Sequence, residues 1–305
     1  MSKMANAPFI SVVIPTCHRN DLLARCLALL HPDVLNLASE EYEVIVTDDG
    51  VNTTAERLLG DQFPYVHWTA GPKRGPAANR NHGAQMAQGE WVAFLDDDCI
   101  PSPGWLPALI SRARGNSVDV IEGRTVIPNK QDRPLTHAVE NHSGGVFWSC
   151  NLAVKRTFFH QIGGFDEDFL EAGGEDMEFG ARIKRSGSII FCADAVVNHP
   201  QYPIGLRRLL KSVMHSRWII LYQLKTKEGL DPAWPLHRCL ARSLGTALLD
   251  HMRTTKQFSM GLTQAAWKTQ VFYEMWKWLV FIPVLGVKLF WLWRFRRAML
   301  ARGNQ

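Results

Sequence analysis

Four short, apolar, largely β-branched runs recur through the N-terminal third of the sequence, and three of them stop at polar or acidic residues. Phe9–Ile14 is halted by Pro15-Thr16, Tyr42–Thr47 by Asp48-Asp49-Gly50, and Glu90–Leu95 by Asp96-Asp97-Asp98, while Tyr65–Thr69 is a weaker run of the same kind. Between them lie helical patterns, from about Asp21 to Leu30 and over Gly75–Met86. Strands alternating with helices at this spacing predict βαβ units, and so an α/β fold whose mostly parallel, Rossmann-like sheet is flanked by helices. Ligands of such a sheet bind at the carboxyl ends of its strands. Thr16 and Arg19, Asp48 and Asp49, and Asp96 to Asp98 all fall there, so three strand ends are expected to converge on one crevice.

Beyond about residue 115 the pattern is mixed. Strand-like Val118–Ile127, Val146–Ser149 and Ile189–Val197 surround a glycine-rich loop, Gly163 to Gly174. A helix is expected from Glu175 to Arg185, stopped by Gly187. From Gly205 onward the chain reads as helices punctuated by Pro203, Pro232, Pro235 and Pro283. The organisation expected is a domain over 1–202 and a helical C-terminal extension over 203–305.

The two parts differ in charge. Residues 201–305 hold 17 of the 34 Lys and Arg but only four acids, a net of +13, which leaves −8 on residues 1–200. Seven of the 11 tryptophans also lie in that basic tail. Its aromatics sit among long apolar segments rather than along a solvated groove, and the acidic body repels phosphate, so nucleic acid is not an expected partner. The six cysteines, Cys17, Cys26, Cys99, Cys150, Cys192 and Cys239, show no CxxC or repeated spacing, which points away from a zinc cage or a disulfide framework. The opening MSKMANAPFI lacks the apolar segment of a secretory signal, so a cytoplasmic protein is expected.

Several residues carry candidate chemistry. Asp96 and Asp98, two apart at a strand end, are expected to point the same way and to share a hard cation such as Mg²⁺ or Mn²⁺, with Asp97 pointing elsewhere. The competing reading is a polar turn leading into Pro101 and Pro103. Glu175 and Asp176 open a helix behind the paired Gly173 and Gly174; acids complement a helix dipole there, but a carboxylate at a loop–helix junction facing the crevice also suits a general base. His199 follows an apolar strand, where a neutral imidazole can complete a two-carboxylate metal site or be merely structural. Arg80 lies in Ala77-Ala78-Asn79-Arg80-Asn81-His82-Gly83, either on a solvated helix face or bracing a nucleotide diphosphate.

Taken in order, these elements resemble the family-2 inverting glycosyltransferases of GT-A fold. The matching stretches are Val12–Thr16, Val46–Gly50, Asn79–Gly83, Phe94–Asp98, Asn151–Val154, Gly163–Glu167, Gly174–Glu178 and Val197–His199. The resemblance implies that Thr16 and Asp49 contact the donor nucleobase and that Arg80 and Asp97 contact base or ribose; Arg19, from its place after the first strand, is expected among the cofactor-binding residues as well. It places Asp96, Asp98 and His199 on a divalent metal, Mn²⁺ or Mg²⁺, that bridges the diphosphate. Asp176 becomes the base that deprotonates the acceptor hydroxyl, with Glu175 beside it, and Asn151 and Asp166 shape the sugar and acceptor site. The implied reaction is an inverting, metal-dependent transfer from a nucleotide-sugar, a UDP-sugar by family habit, to a hydroxyl of a glycan or lipid-linked acceptor in cell-surface polysaccharide or glycolipid synthesis. Two departures stand out. Val51 replaces the serine that often follows Asp-Asp-Gly, and Met214-His215-Ser216-Arg217-Trp218 keeps only the last two residues of the processive Gln-x-x-Arg-Trp signature. Trp218 is expected in a core or against a membrane, with an acceptor-stacking platform as the alternative.

Leu279–Trp293 is an apolar run broken by Pro283 and Lys288, too short to span a bilayer, with tryptophans before it and Arg294, Arg296 and Arg297 after it. Such a segment fits an interfacial helix on an anionic membrane surface, placing the protein peripherally on the cytoplasmic face; the alternatives are a true span, which needs the run extended back to Val271 and admits Glu274 and Lys277, and a buried helical hairpin. Two other readings compete. A sugar-nucleotide nucleotidyltransferase usually opens with a glycine-rich phosphate loop, which Pro15-Thr16-Cys17-His18-Arg19 is not. A catalytically silent, membrane-associated nucleotide-binding scaffold has no need of Asp96, Asp98 and Asp176.

Overall fold

The computed structural model describes residues 7–38, 40–52, 55–130, 136–203, 217–227, 230, 232, 233, 235, 236, 238, 239, 241, 242 and 267–302. The chain divides into two compact units, 1–203 and 204–305. In chain order the first unit contains β1 (Ile10–Thr16), α1 (Asn20–Ala28), α2 (Pro32–Leu35), β2 (Tyr42–Asp48), α3 (Ala55–Gln62), β3 (Val66–Ala70), α4 (Pro76–Met86), β4 (Trp91–Phe94), β5 (Ile100–Pro101) and α5 (Trp105–Gly115). There follow β6 (Val120–Val126), β7 (Thr136–His137), a 3-10 turn (Ser149–Asn151), β8 (Leu152–Lys155), α6 (Arg156–Gln161), α7 (Glu175–Ser186), β9 (Ile189–Asn198) and β10 (Tyr202–Pro203).

Among the described residues one sheet has eight strands in the order β3-β2-β1-β4-β8-β6-β9-β5, and β10 and β7 form a separate pair. The first half, β3 to β4, is parallel, as the alternation predicts. The second half is mixed: β8 runs antiparallel to both β4 and β6, β9 is parallel to β6, and the short β5 closes the edge antiparallel to β9.

β1 is buried along its whole length because both faces are covered, which is why it reads as a continuous apolar run rather than an alternating one. Ile10, Val12 and Ile14 face one core with Leu23, Leu27, Val44 and Trp105. Val13 faces the other with Ile45, Phe94, Phe165 and Phe179. Each such large side chain contributes roughly 1.5–3 kcal/mol on burial. Register then places the polar ends: Thr16 pairs with Asp48 and Asp48 with Ala70, so the carboxyl ends of β1, β2 and β3 are level.

One expected strand is absent. Residues 146–148 form a loop, Ser149 opens the 3-10 turn, and β8 begins only at Leu152. The apolar run could not pair as a strand because the N–H groups of Gly145, Val146 and Phe147 all donate to the buried Glu122 carboxylate, and Phe147 has φ 59. Asn151 also differs from expectation. Its amide nitrogen donates to the carbonyls of Arg124 and Ala195, across the register shift between β6 and β9, and its oxygen accepts from Trp105 Nε1. That leaves it a scaffold residue rather than part of a sugar site.

In the second unit, helical residues 217–226 and the helix Trp267–Arg302 pack Ile220, Leu224, Leu230, Cys239 and Leu292 into a small core, with Phe295 and Met299 against it. Trp218 is buried, which removes it as an exposed stacking platform. Pro283, expected as a break, lies inside the continuous helix; proline's fixed φ is helical, and its cost is the lost N–H bond and local crowding. No helix among the described residues is long and apolar enough to cross a membrane. Gly205, Met214 to Ser216, Trp234 and the side chains of Trp267, Trp276, Trp278 and Leu279–Pro283 lie outside the described residues.

Candidate functional site

The three consecutive aspartates are not on a strand. β4 stops at Phe94, and Asp96 to Asp98 form a turn closed by Cys99 N donating to Asp96 O at 3.1 Å. Alternation along a strand therefore does not set their directions, and each carboxylate has its own partners. Thr16 Oγ1, at the end of β1, donates to Asp97 Oδ2 at 2.7 Å, and Arg19 lies 2.6 Å from Oδ1. Asp97, expected to point away, is wholly buried in the site. Burial pushes its carboxyl up to about 7, against the opposing pull of Arg19 and Thr16.

Asp98 is divided between two environments. Its Oδ2 accepts from Arg19 at 3.2 Å and from the Tyr202 hydroxyl at 3.3 Å. Its Oδ1 is buried without a hydrogen-bond partner and lies 3.9 Å from His199 Nε2. His199 comes directly after β9, with its backbone N–H on Val126 O and its Nδ1 2.9 Å from the Pro200 carbonyl. A carbonyl only accepts, so in the neutral ring Nδ1 carries the proton and Nε2 turns a lone pair toward Asp98. Asp98, Cys99 and His199 each place one ligand atom within 4.8 Å of the others. Burial lifts the Cys99 thiol well above its usual range, so the donors on offer are a carboxylate oxygen and an imidazole nitrogen. That set, with an orphaned carboxylate oxygen, fits Mn²⁺ or Mg²⁺.

Asp96 faces the other way. Its Oδ1 accepts from Arg80 at 2.8 Å, and Arg80 reaches Glu175 Oε1 at 3.4 Å with its guanidinium over the Phe165 ring. Burial alone would raise the Asp96 carboxyl, but Arg80 outweighs it and holds the group below its ordinary value. Arg80 is thus buried on the inner side of α4, not on a solvated face. It ties the aspartate turn to the start of α7.

The two acids at that helix start are held differently. Glu175 Oε2 accepts from Gly173 N at 2.6 Å, so both its oxygens are engaged. Gly173 and Gly174 have φ of 128° and 97°, a backbone only glycine adopts without strain, which is what the paired glycines are for. Asp176 Oδ2 accepts from Ser149 N at 3.3 Å, while Oδ1 is buried with no hydrogen-bond partner. Burial, and then the neighbouring Glu175, push the Asp176 carboxyl up to about 7. A carboxylate poised near neutrality with a free oxygen is suited to accept a proton.

At the end of β2, Asp49 takes Lys73 N at 2.8 Å and Gly75 N at 3.1 Å, pinning the loop before α4, and its own N–H donates to Thr16 O. Burial raises its carboxyl despite those bonds. Asp166 accepts from Asp168 N within the glycine-rich loop. The fold thus gathers Thr16, Arg19, Asp97, Asp98 and His199 into one linked set. A second set holds Arg80, Asp96, Glu175 and Asp176, and the aspartate turn is common to both. Tyr202, Ser149 and Cys99 belong to the site but carry no local sequence signal, Tyr202 lying 104 residues from the carboxylate it contacts.

The model of the family described as Glycosyl transferase family 2 matches residues 11–186, which hold every site residue above except His199 and Tyr202. Glycosyltransferase AglE of Haloferax volcanii is 25% identical over 251 residues, covering 77% of each chain. GalNAc(5)-diNAcBac-PP-undecaprenol beta-1,3-glucosyltransferase of Campylobacter jejuni is 31% identical over 112 residues, only 35% of each chain. Among solved structures, mannosyltransferase PcManGT of Pyrobaculum calidifontis in complex with GDP-Man and Mn²⁺ superposes with a TM-score of 0.58 at 19% identity, covering 93% of this chain and 88% of that one. At that identity the superposition speaks for the fold, a GT-A-like mixed sheet flanked by helices.

Proposed function

The chain belongs to glycosyl transferase family 2, and on that premise we propose an inverting transfer of a sugar from a nucleoside-diphosphate sugar to a hydroxyl of a glycan or lipid-linked acceptor. The observation that carries this reading is Asp176, whose partnerless Oδ1 sits beside the aspartate turn. In the proposed step Asp176 takes the proton of the acceptor hydroxyl as that oxygen bonds to the anomeric carbon. The bond from the anomeric carbon to the diphosphate oxygen breaks on the opposite face, and the nucleoside diphosphate leaves with the electron pair. One displacement inverts the centre and needs no covalent intermediate.

Asp98 and His199 are the residues to hold Mn²⁺ or Mg²⁺, with Asp96 adding negative field from its place on Arg80. A bound divalent ion supplies charge stabilisation for the leaving diphosphate. Thr16, Asp49, Asp97 and Arg19 form the donor side, Arg19 being the half-exposed cation among them. Glu175 and Arg80 act as positioning residues. The name of the Campylobacter relative supports a lipid-linked acceptor in surface polysaccharide or glycolipid assembly. The GDP-Man and Mn²⁺ of the Pyrobaculum complex support a nucleotide-sugar donor and a divalent metal. UDP-sugars are the first donors to test.

The second unit supports a peripheral place on the anionic cytoplasmic face of a membrane. Leu292, Phe295 and Met299 pack inward, while Phe290, Trp293 and Leu300 are exposed beside Arg294 and Arg297. Co-sedimentation with anionic but not neutral liposomes is the expected result; failure to bind either removes the membrane surface as a partner. For the chemistry, purified protein with Mn²⁺ and an acceptor extract is expected to release nucleoside diphosphate from one of the UDP-, dTDP- and GDP-sugars, and Asp176→Asn to release none. Equal release by the variant contradicts the proposed base.

A further inference from the structure

Glu122 lies on β6, is almost wholly buried, and makes no salt bridge among the described residues. Its carboxylate accepts from three successive N–H groups, Gly145 at 2.7 Å, Val146 at 3.1 Å and Phe147 at 2.8 Å, and from Asn141 Nδ2 at 3.3 Å. A buried carboxylate satisfied this way fixes the loop that supplies the donors, because each N–H left unpaired costs about 1–3 kcal/mol.

That loop runs alongside α7 in step with its turns. Lys184 Nζ donates to Gly145 O at 3.0 Å and stands over the Phe147 ring. Phe147 packs on Gly180, where a Cβ would lie 2.8 Å from the ring. Ser149 N donates to Asp176. Residues 184, 180 and 176, about one helical turn apart, thus meet loop residues 145, 147 and 149, spaced two apart along the chain. The last of these contacts falls on the Asp176 carboxylate itself.

We propose that Glu122 is a positioning residue for the transfer, holding the 145–149 loop as a rail that aims Asp176 at the acceptor hydroxyl. It touches neither donor nor acceptor and works through the Ser149 N–H. The catalytic part of this inference rests on Asp176 being the base; the mechanical part does not.

Glu122→Gln keeps the shape but turns an amide N–H₂ toward N–H donors. Ser149→Pro is the second variant, deleting the final link alone. Ser149 is the first residue of a 3-10 turn, where proline is tolerated, and Trp148 at φ −59°, ψ 121° is already in the conformation a following proline requires. Amide hydrogen exchange is measured on wild type and Glu122→Gln, and kcat, donor KM and Mn²⁺-dependent nucleotide binding on all three proteins. The expected result is faster exchange at Ser149 as well as at Gly145–Phe147 in Glu122→Gln. Both variants should lose about tenfold or more in kcat at unchanged donor KM and nucleotide affinity, the size expected of a misplaced catalytic group. Because Glu175, Arg80 and Asp96 are the charged groups around Asp176 and stay in place, loss of the Ser149 bond should also move the acid limb of kcat to higher pH. Unchanged Ser149 exchange and unchanged kcat, with Gly145–Phe147 freed, overturn the proposal. So does a fall in nucleotide affinity parallel to kcat. Wild type that never turns over any donor refutes the transferase reading instead, and the exchange experiment still decides the coupling.

Discussion

The guanidinium of Arg80 lies 2.8 Å from the Asp96 carboxylate, and its other terminal nitrogen reaches Glu175. One buried cation therefore joins the aspartate turn after β4 to the start of α7, the two places that carry the candidate metal and base chemistry. Removing it leaves two acids in a poorly solvated site without their counter-charge. Arg80→Ala is expected to cost about 3 kcal/mol or more of stability, measured by chemical denaturation, with Arg80→Lys intermediate because lysine lacks the second donor direction.

The pH dependence of transfer follows from Asp176. With its carboxyl pushed up to about 7 by burial and Glu175, the group is largely protonated at pH 6 and cannot accept a proton there. The expectation is that kcat rises about tenfold per pH unit below the limb and levels off above it. A profile of kcat from pH 5 to 9 checks this; a flat profile contradicts Asp176 as base.

The same shift predicts a trade of stability for function. The folded-state pKa of about 7 exceeds the ordinary 3.8, so between those values the folded chain binds more protons than the unfolded chain. Stability falls as pH rises through that window, and the cost of the buried charge is complete above it. Asp176→Asn should therefore match wild type near pH 4 and melt a few degrees higher at pH 8, while losing transfer. Thermal melts of the two proteins at both pH values measure it.

Gly83 tests how the crevice floor is built. A Cβ there would lie 2.4 Å from Val13 Cγ1, so the close approach of α4 to β1 requires glycine. Gly83→Ala should destabilise by about 1–3 kcal/mol through overpacking, with nucleotide preference unchanged, as read by denaturation and binding.

Much of this is legible in the sequence where the signal is local. β1, β2 and β4 follow from their apolar runs because strands covered on both faces leave a continuous trace, and the parallel half of the sheet follows from their spacing. Asp48, Asp96 and Asp176 stand out because they end a strand, follow one closely or open a helix. The second half is harder to read. Val146–Ser149 looks like a strand until the Glu122 carboxylate claims its N–H groups, a contact spanning 23 to 25 residues that no window reveals. α5 escapes notice because Pro107 disguises its opening, although the first turn has no N–H bonds to lose. The directions of Asp96, Asp97 and Asp98 differ from the period-2 expectation because the strand ends at Phe94, two residues before the first of them. Tyr202 and Ser149 reach the site only through tertiary contacts.

The most direct test of the proposed site is calorimetric titration of wild type and Asp98→Ala with UDP, dTDP and GDP, each with and without Mn²⁺. One nucleotide is expected to bind wild type only when Mn²⁺ is present, and Asp98→Ala, folded, is expected not to bind it. Binding that is indifferent to Mn²⁺ or survives the substitution would contradict a metal held by Asp98 and His199.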